Sequence, residues 1–172
     1  IRTRKEAPNL NPLLEVQVVE AADSITYDAH DTDDAIKLGM LTIDQATHDA
    51  IVAHARADHP DEACGVVAGP IGSDRPARFI PMVNAASSPT FYEFDSMDLL
   101  RLYREMDAAD EEPVVIYHSH TATEAYPSRT DVSYASEPNA HYLVVSTREP
   151  DSEEIRSYRI VDGVITEEPV EI

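Results

Sequence analysis

A single cysteine, Cys64, among 172 residues rules out an internal disulfide. That suits a reducing, cytoplasmic setting. No apolar run approaches the ~20 residues that a membrane span requires. No apolar segment follows the basic and polar first residues either, so no signal peptide is expected. Lysine is almost missing: Lys5 and Lys37 both fall within residues 1–39, and residues 40–172 draw their positive charge from arginine alone. Acidic residues outnumber basic ones 33 to 13, a formal net charge of −20. Such a surface repels phosphate backbones, which excludes nucleic acid and anionic membranes as favoured partners. What is present is globular in character, with 42% hydrophobic and 27% charged residues and enough length for one domain with a real core. No internal repeat is visible.

From Met40 onward the pattern alternates helices and strands. Met40–Ile43 is expected to open as a short strand, and residues 44–58 to form an amphipathic helix that ends before Pro60. Its histidines, His48 and His54, and the following His59 stand outside any motif and are expected to be at the surface or partly buried. Ala63–Gly69 is a strand of small residues, and residues 77–83 return beside it as a hairpin. A further strand is expected over Thr90–Phe94, then a helix from Met97 to about Ala109, capped by Ser96, with Leu99, Leu102 and Met106 on its apolar face. Asp107–Glu112 is expected to be a solvated acidic connection. Strands follow over 113–117, 140–147 and 155–161, with a short helix near 131–136. Asp162-Gly163 is a hairpin signal leading to a strand at 164–166 and an acidic tail.

The most informative stretch follows the apolar run Pro113–Tyr117. His118 and His120 lie two apart on a strand and so share a face. Ser128 and Asp131, three apart on a helical turn, share another. Each half has a plain reading: a His-x-His pair is often ordinary hydrogen-bonding histidine, and Ser-x-x-Asp matches a capping box. Taken together, two imidazoles and a carboxylate make a three-ligand site for Zn²⁺ with a fourth position open, the pattern of catalytic rather than structural zinc. Cys64 has no Cys/His signature around it and is expected to be a small buried strand residue.

The spacing of His118, His120, Ser128 and Asp131 resembles the signature of the JAMM (MPN+) metalloproteases, and Pro60-Asp61-Glu62-Ala63-Cys64-Gly65 resembles that family's upstream glutamate segment. The resemblance implies an α/β MPN fold: a mixed β-sheet related to that of cytidine deaminases, flanked by helices. It implies Zn²⁺ held by His118, His120 and Asp131. It gives Glu62 the role of general base and Ser128 that of oxyanion donor, with Ser119 as a support residue. The Tyr117–Asp131 stretch, with Phe91-Tyr92-Glu93-Phe94, is most similar to the bacterial Mec-type members. Those hydrolyse the bond between the C-terminal Gly-Gly tail of a ubiquitin-like sulfur-carrier protein and cysteine, a step of cysteine biosynthesis. Two alternatives stand beside this: an isopeptidase removing a ubiquitin-like modifier from lysines, and a non-catalytic MPN scaffold. Thr121, where many eukaryotic relatives have proline, speaks against a eukaryotic-type deubiquitinase.

Residues 1–39 differ in character. Ala22-Asp23-Ser24-Ile25-Thr26-Tyr27 and His30-Asp31 resemble a fragment of the HD-domain dNTP triphosphohydrolases, without the upstream ligands that family needs. The expected organisation is therefore an appended helical segment, 1–39, followed by the metalloprotease domain, 40–172.

Overall fold

The computed structural model describes residues 39–151 and 153–172; the expected N-terminal helical segment lies outside the described residues. In chain order the elements are β1 (Leu41–Thr42), α1 (Gln45–Asp58), β2 (Cys64–Pro70), β3 (Arg78–Met82), α2 (Ser96–Ala108), β4 (Glu111–His120), α3 (Arg129–Tyr134), β5 (His141–Ser146), β6 (Glu154–Val161), β7 (Val164–Glu168) and β8 (Val170–Glu171). Six strands form one sheet in the order β3-β2-β4-β5-β6-β7. Only β4 and β5 run parallel, so the sheet is mixed.

Alternation along the strands sorts the core onto two faces. On one face Val67, Val115, Tyr117, Leu143 and Val145 pack with Ile51 and Ala55 of α1 and with Leu41 and Ile43. On the other, Cys64, Val66, Ala68 and Met82 pack against Leu102 and Met106 of α2. Each fully buried aliphatic side chain contributes about 1.5–3 kcal/mol. The face of α1 is His48, Ile51, Val52 and Ala55, one stripe at helical spacing. His48 belongs to that stripe and is more deeply buried than the surface or partly buried place expected of it, because its position on the helix points at the core.

Several boundaries differ from expectation for local reasons. Thr90–Phe94 is not a strand, since its backbone is tied to the Asn84 side chain and only Asn84 and Phe94 form a single bridge. The N-cap of α2 is Asp95 rather than Ser96, its Oδ1 accepting from the Met97 and Asp98 amides at 2.9 and 3.0 Å. Glu111 and Glu112 are strand, not a solvated turn. Glu111 Oε2 accepts two bonds from Arg78 at 2.9 and 2.6 Å, and Glu112 Oε1 accepts the Gly72 amide at 2.8 Å. The short helix lies at Arg129–Tyr134 and starts from a capping box of Ser128 and Asp131. Asp162 and Gly163 take positive φ of 50° and 77°, as a tight hairpin between β6 and β7 demands.

The expected acidic tail is structured. Val170–Glu171 pairs in parallel with Leu41–Thr42, and Glu168 is buried. Glu168 accepts from His141 Nδ1, from Ser157 Oγ at 2.8 Å and from Arg159 Nε at 3.3 Å. Arg159 also donates to Nε2 of His141 at 2.8 Å, which leaves the imidazole hydrogen on Nδ1, facing the carboxylate. The buried carboxylate is thus engaged by three donors rather than left without partners.

Tyr117 explains Gly65. The tyrosine is fully buried, stacked on Phe79 at 5.7 Å, with its Oη 2.8 Å from His54 Nδ1. A Cβ at Gly65 would meet Tyr117 Oη at 2.4 Å, Tyr117 Cζ at 2.5 Å and the Ile80 carbonyl oxygen at 2.6 Å. Gly65→Ala is expected to destabilise the fold by about 1–3 kcal/mol or more. Thermal or denaturant unfolding measures this. Tyr117→Phe in the same chain is expected not to rescue it, because the ring and the Ile80 backbone stay in place.

Candidate metal centre

β4 ends in His118-Ser119-His120, all three buried. The imidazoles share the α2 face of the sheet, while Ser119 turns to the other. Ser119 is the fastening: its amide donates to the Ala63 carbonyl at 2.9 Å and its Oγ accepts the Ala63 amide at 2.8 Å. The antiparallel register sets Cys64 opposite His118, and Glu62 lies two residues before Cys64, at the entry to β2. Glu62 is itself held at both backbone atoms, its amide donating to the Ser88 carbonyl at 2.9 Å and its carbonyl accepting Asn84 Nδ2 at 2.9 Å.

Loop 121–127 carries the chain from His120 to α3. Thr121 Oγ1 donates to the Pro89 carbonyl at 2.8 Å, Ser146 Oγ to that of Thr123 at 2.6 Å, and Tyr158 Oη to that of Ala125 at 2.6 Å. So anchored, the loop delivers Ser128 as N-cap of α3. Ser128 Oγ accepts the Asp131 amide at 3.2 Å, and Asp131 Oδ2 accepts the Ser128 amide at 2.5 Å. The capping box and the carboxylate at the centre are the same residues. The helix terminus aims Asp131 at the histidines.

Three donor atoms converge. His118 Nε2 and His120 Nε2 are 3.1 Å apart, and Asp131 Oδ2 lies 3.4 and 3.3 Å from them. A tetrahedral zinc with bonds of about 2.0–2.1 Å has ligand-to-ligand edges of about 3.3 Å, so this triangle has the size of one face of such a site. His120 Nδ1 lies 3.0 Å from the Glu124 carbonyl oxygen, which only accepts. The hydrogen therefore sits on Nδ1, and Nε2 offers its lone pair inward. The donor set fits Zn²⁺.

The electrostatics agree with that fit. Burial alone would raise Asp131, yet hydrogen bonds with His118 and His120 hold it well below the usual carboxylate range. Burial lowers His118 and keeps it neutral. Burial also opposes charge on His120, but Asp131, the Glu124 carbonyl and the Glu62 charge outweigh it and raise its pKa. Burial lifts Glu62 to about 7, with the His120 charge opposing and the Asp131 charge adding to the rise. Cys64, adjoining it, is pushed up to about 12 by burial and stays a thiol, its Sγ 3.8 Å from the Met82 carbonyl oxygen. Burial thus disfavours the thiolate that a nucleophile would need.

The five residues singled out from the sequence thus meet at one end of β4. Two others escaped notice. Asn84 uses all four of its bonds: Nδ2 donates to the Glu62 and Phe91 carbonyls, and Oδ1 accepts the Ala86 and Glu93 amides at 3.0 and 3.1 Å. Nothing around an asparagine at the end of a strand marks that role. Tyr92 lies flat on His118, and a cavity of about 280 Å³ bordered by Tyr92, Phe94, Leu102 and Tyr142 extends from it to Asp131.

The family described as prokaryotic homologues of the JAB domain matches residues 44–161, and the chain belongs to it. The fold is therefore JAB/MPN. The CysO-cysteine peptidase of Mycobacterium tuberculosis is 70% identical over 133 residues, which are 77% of this chain and 91% of that protein. The desampylase of Haloferax volcanii is 33% identical over 111 residues, 62% of this chain and 80% of its own length. A solution structure of a protein from Desulfitobacterium hafniense superposes with a TM-score of 0.67 at 31% identity, covering 76% of this chain and 91% of that one.

In chelator-treated protein, NMR titration of the Glu62 carboxyl is expected to give a midpoint near 7. The proton-accepting form then predominates above that pH and is lost below it. A midpoint near the ordinary 4.5 would show that the carboxylate is solvated rather than enclosed.

Proposed function

We propose that this chain is a zinc metallopeptidase that hydrolyses the amide bond between the C-terminal Gly of a ubiquitin-like sulfur-carrier protein and cysteine, releasing cysteine. The observation that carries the reading is the triangle of His118, His120 and Asp131 donors with a buried carboxylate, Glu62, close enough to feel the charges of His120 and Asp131. The 70% identity to a CysO-cysteine peptidase over nearly all of that protein supports this substrate.

His118, His120 and Asp131 would hold Zn²⁺, which when bound would supply hydroxide near neutral pH and polarise a carbonyl. The protein's part is proton handling and charge placement. Glu62, enclosed and poised about neutral, accepts the proton of the attacking water and passes it to the departing cysteine amine. The carbonyl–nitrogen bond breaks, leaving the carrier's terminal carboxylate and free cysteine. Ser128 already accepts the Asp131 amide at its Oγ. Its hydroxyl hydrogen is then the one offered to the oxyanion that develops on the scissile carbonyl. Ser119 has both its amide and its Oγ engaged with Ala63, which makes it a support rather than a nucleophile. Retention of Glu62, His118, His120, Ser128 and Asp131 together argues against a scaffold. Among the described residues no helix is long and apolar enough to cross a membrane.

Intact-mass analysis of a carrier ending in Gly-Gly-Cys is expected to show zinc-dependent loss of one cysteine, abolished by chelator. Glu62→Gln is expected to keep zinc and to slow turnover about 10²–10⁴-fold, while His120→Ala loses both zinc and turnover. An intact carrier beside a zinc-loaded enzyme would overturn the substrate. Cleavage of isopeptide-linked conjugates in its place would favour the alternative of an isopeptidase that removes a ubiquitin-like modifier from lysines. Undiminished cleavage by His120→Ala would overturn the metal centre itself.

A further inference from the structure

The two histidines are held in unlike ways. His120 has its Nδ1 fixed by the Glu124 carbonyl at 3.0 Å and by Thr123 Oγ1 at 3.1 Å. This is the ordinary device for a ligating histidine: a hydrogen bond on the far nitrogen sets both tautomer and ring plane. His118 lacks it. Its Nδ1 is buried with no hydrogen-bond partner, so no such bond stops the ring from turning about its χ2 axis.

An aromatic plate stands in the corresponding place. The Tyr92 ring stacks on the His118 ring with centroids 4.6 Å apart and planes 23° from parallel. That lies within the range of favourable offset stacking. The plate is itself fixed. Phe94 meets it edge-on at 5.5 Å, and Asn84 grips the neighbouring backbone at Phe91 and Glu93. Those bonds keep Phe91–Phe94 irregular where its sequence suggests a strand. The segment gives up ladder pairing and presents one ring flat to His118.

We infer that Tyr92 is a positioning residue for the metal centre, its stacked ring replacing the missing hydrogen bond in fixing the plane of His118. Electronic character adds to the geometry. An imidazole that donates its lone pair to a dication becomes electron-poor, and the negative face of a phenol ring attracts it. The stack therefore strengthens as the metal binds and opposes metal release. This rests on the reading of His118 as a ligand.

The test measures zinc affinity in the full-length protein by chelator competition, independent of peptidase turnover. Tyr92→Leu is expected to weaken zinc binding by about 10–100-fold, the usual cost of losing an outer support. Tyr92→Phe, which keeps the ring, is expected to stay within about threefold of wild type on the same scale. Met106→Ala, which opens the same apolar cluster from α2, is expected to lower the melting temperature and leave zinc affinity near wild type. Unchanged affinity in Tyr92→Leu would overturn the inference. So would a Tyr92→Phe variant as weak as Tyr92→Leu, since the hydroxyl would then be responsible, or a Met106→Ala loss as large as that of Tyr92→Leu, since general loosening would then suffice. If wild type itself fails to take up zinc, the ligand reading falls and this inference with it. If wild type binds and Tyr92→Leu binds equally well, only the positioning role falls.

Discussion

The pairing of β2 with β4 is the constraint on which the candidate centre depends. An antiparallel ladder fixes which residues face each other, and a slip of one place would turn every side chain to the opposite face. Here the ladder sets Cys64 against His118. Ser119 extends the grip beyond the last ladder pair by closing two hydrogen bonds on Ala63. Glu62, just before the start of one strand, and the two imidazoles at the end of the other are thereby brought together. Gly65 and Tyr117 guard the same register from the opposite face, since only a residue without Cβ fits under that ring.

The third ligand candidate arrives by a different physical route. A helix N-terminus needs acceptors for its free amides. Ser128 and Asp131 supply them to each other, and the same bonds orient the carboxylate toward His118 and His120. Local helix chemistry thus serves the site at no separate structural cost. Burial supplies the remaining ingredient. It desolvates Glu62 enough to raise its pKa, while paired imidazoles keep the equally enclosed Asp131 ionised. Two carboxylates a short distance apart therefore differ in proton affinity because their partners differ.

Much of this was legible from residue order. The β-branched run before His118, the His-x-His spacing and the Ser-x-x-Asp cap each have a local cause, and the helix and hairpin signals at residues 44–58 and 162–163 lie close to the observed elements. What the sequence did not reveal depends on distant partners. Thr90–Phe94 has strand-like composition, yet the Asn84 side chain captures its backbone. Glu111, Glu112 and Glu168 look like solvated charge until Arg78, the Gly72 amide, His141 and Arg159 are brought to them by the sheet. The stacking of Tyr92 on His118 is likewise a tertiary event, invisible to any local pattern.

The most direct test of the account is X-ray absorption at the zinc edge of the zinc-loaded protein, with His118→Ala as comparison. The account predicts one zinc per chain, surrounded by two imidazole rings and oxygen atoms at about 2.0–2.2 Å, with one imidazole lost in the variant. A sulfur neighbour at about 2.3 Å would place zinc on Cys64. Such a result, or a shell unchanged by His118→Ala, would contradict the assignment of the centre.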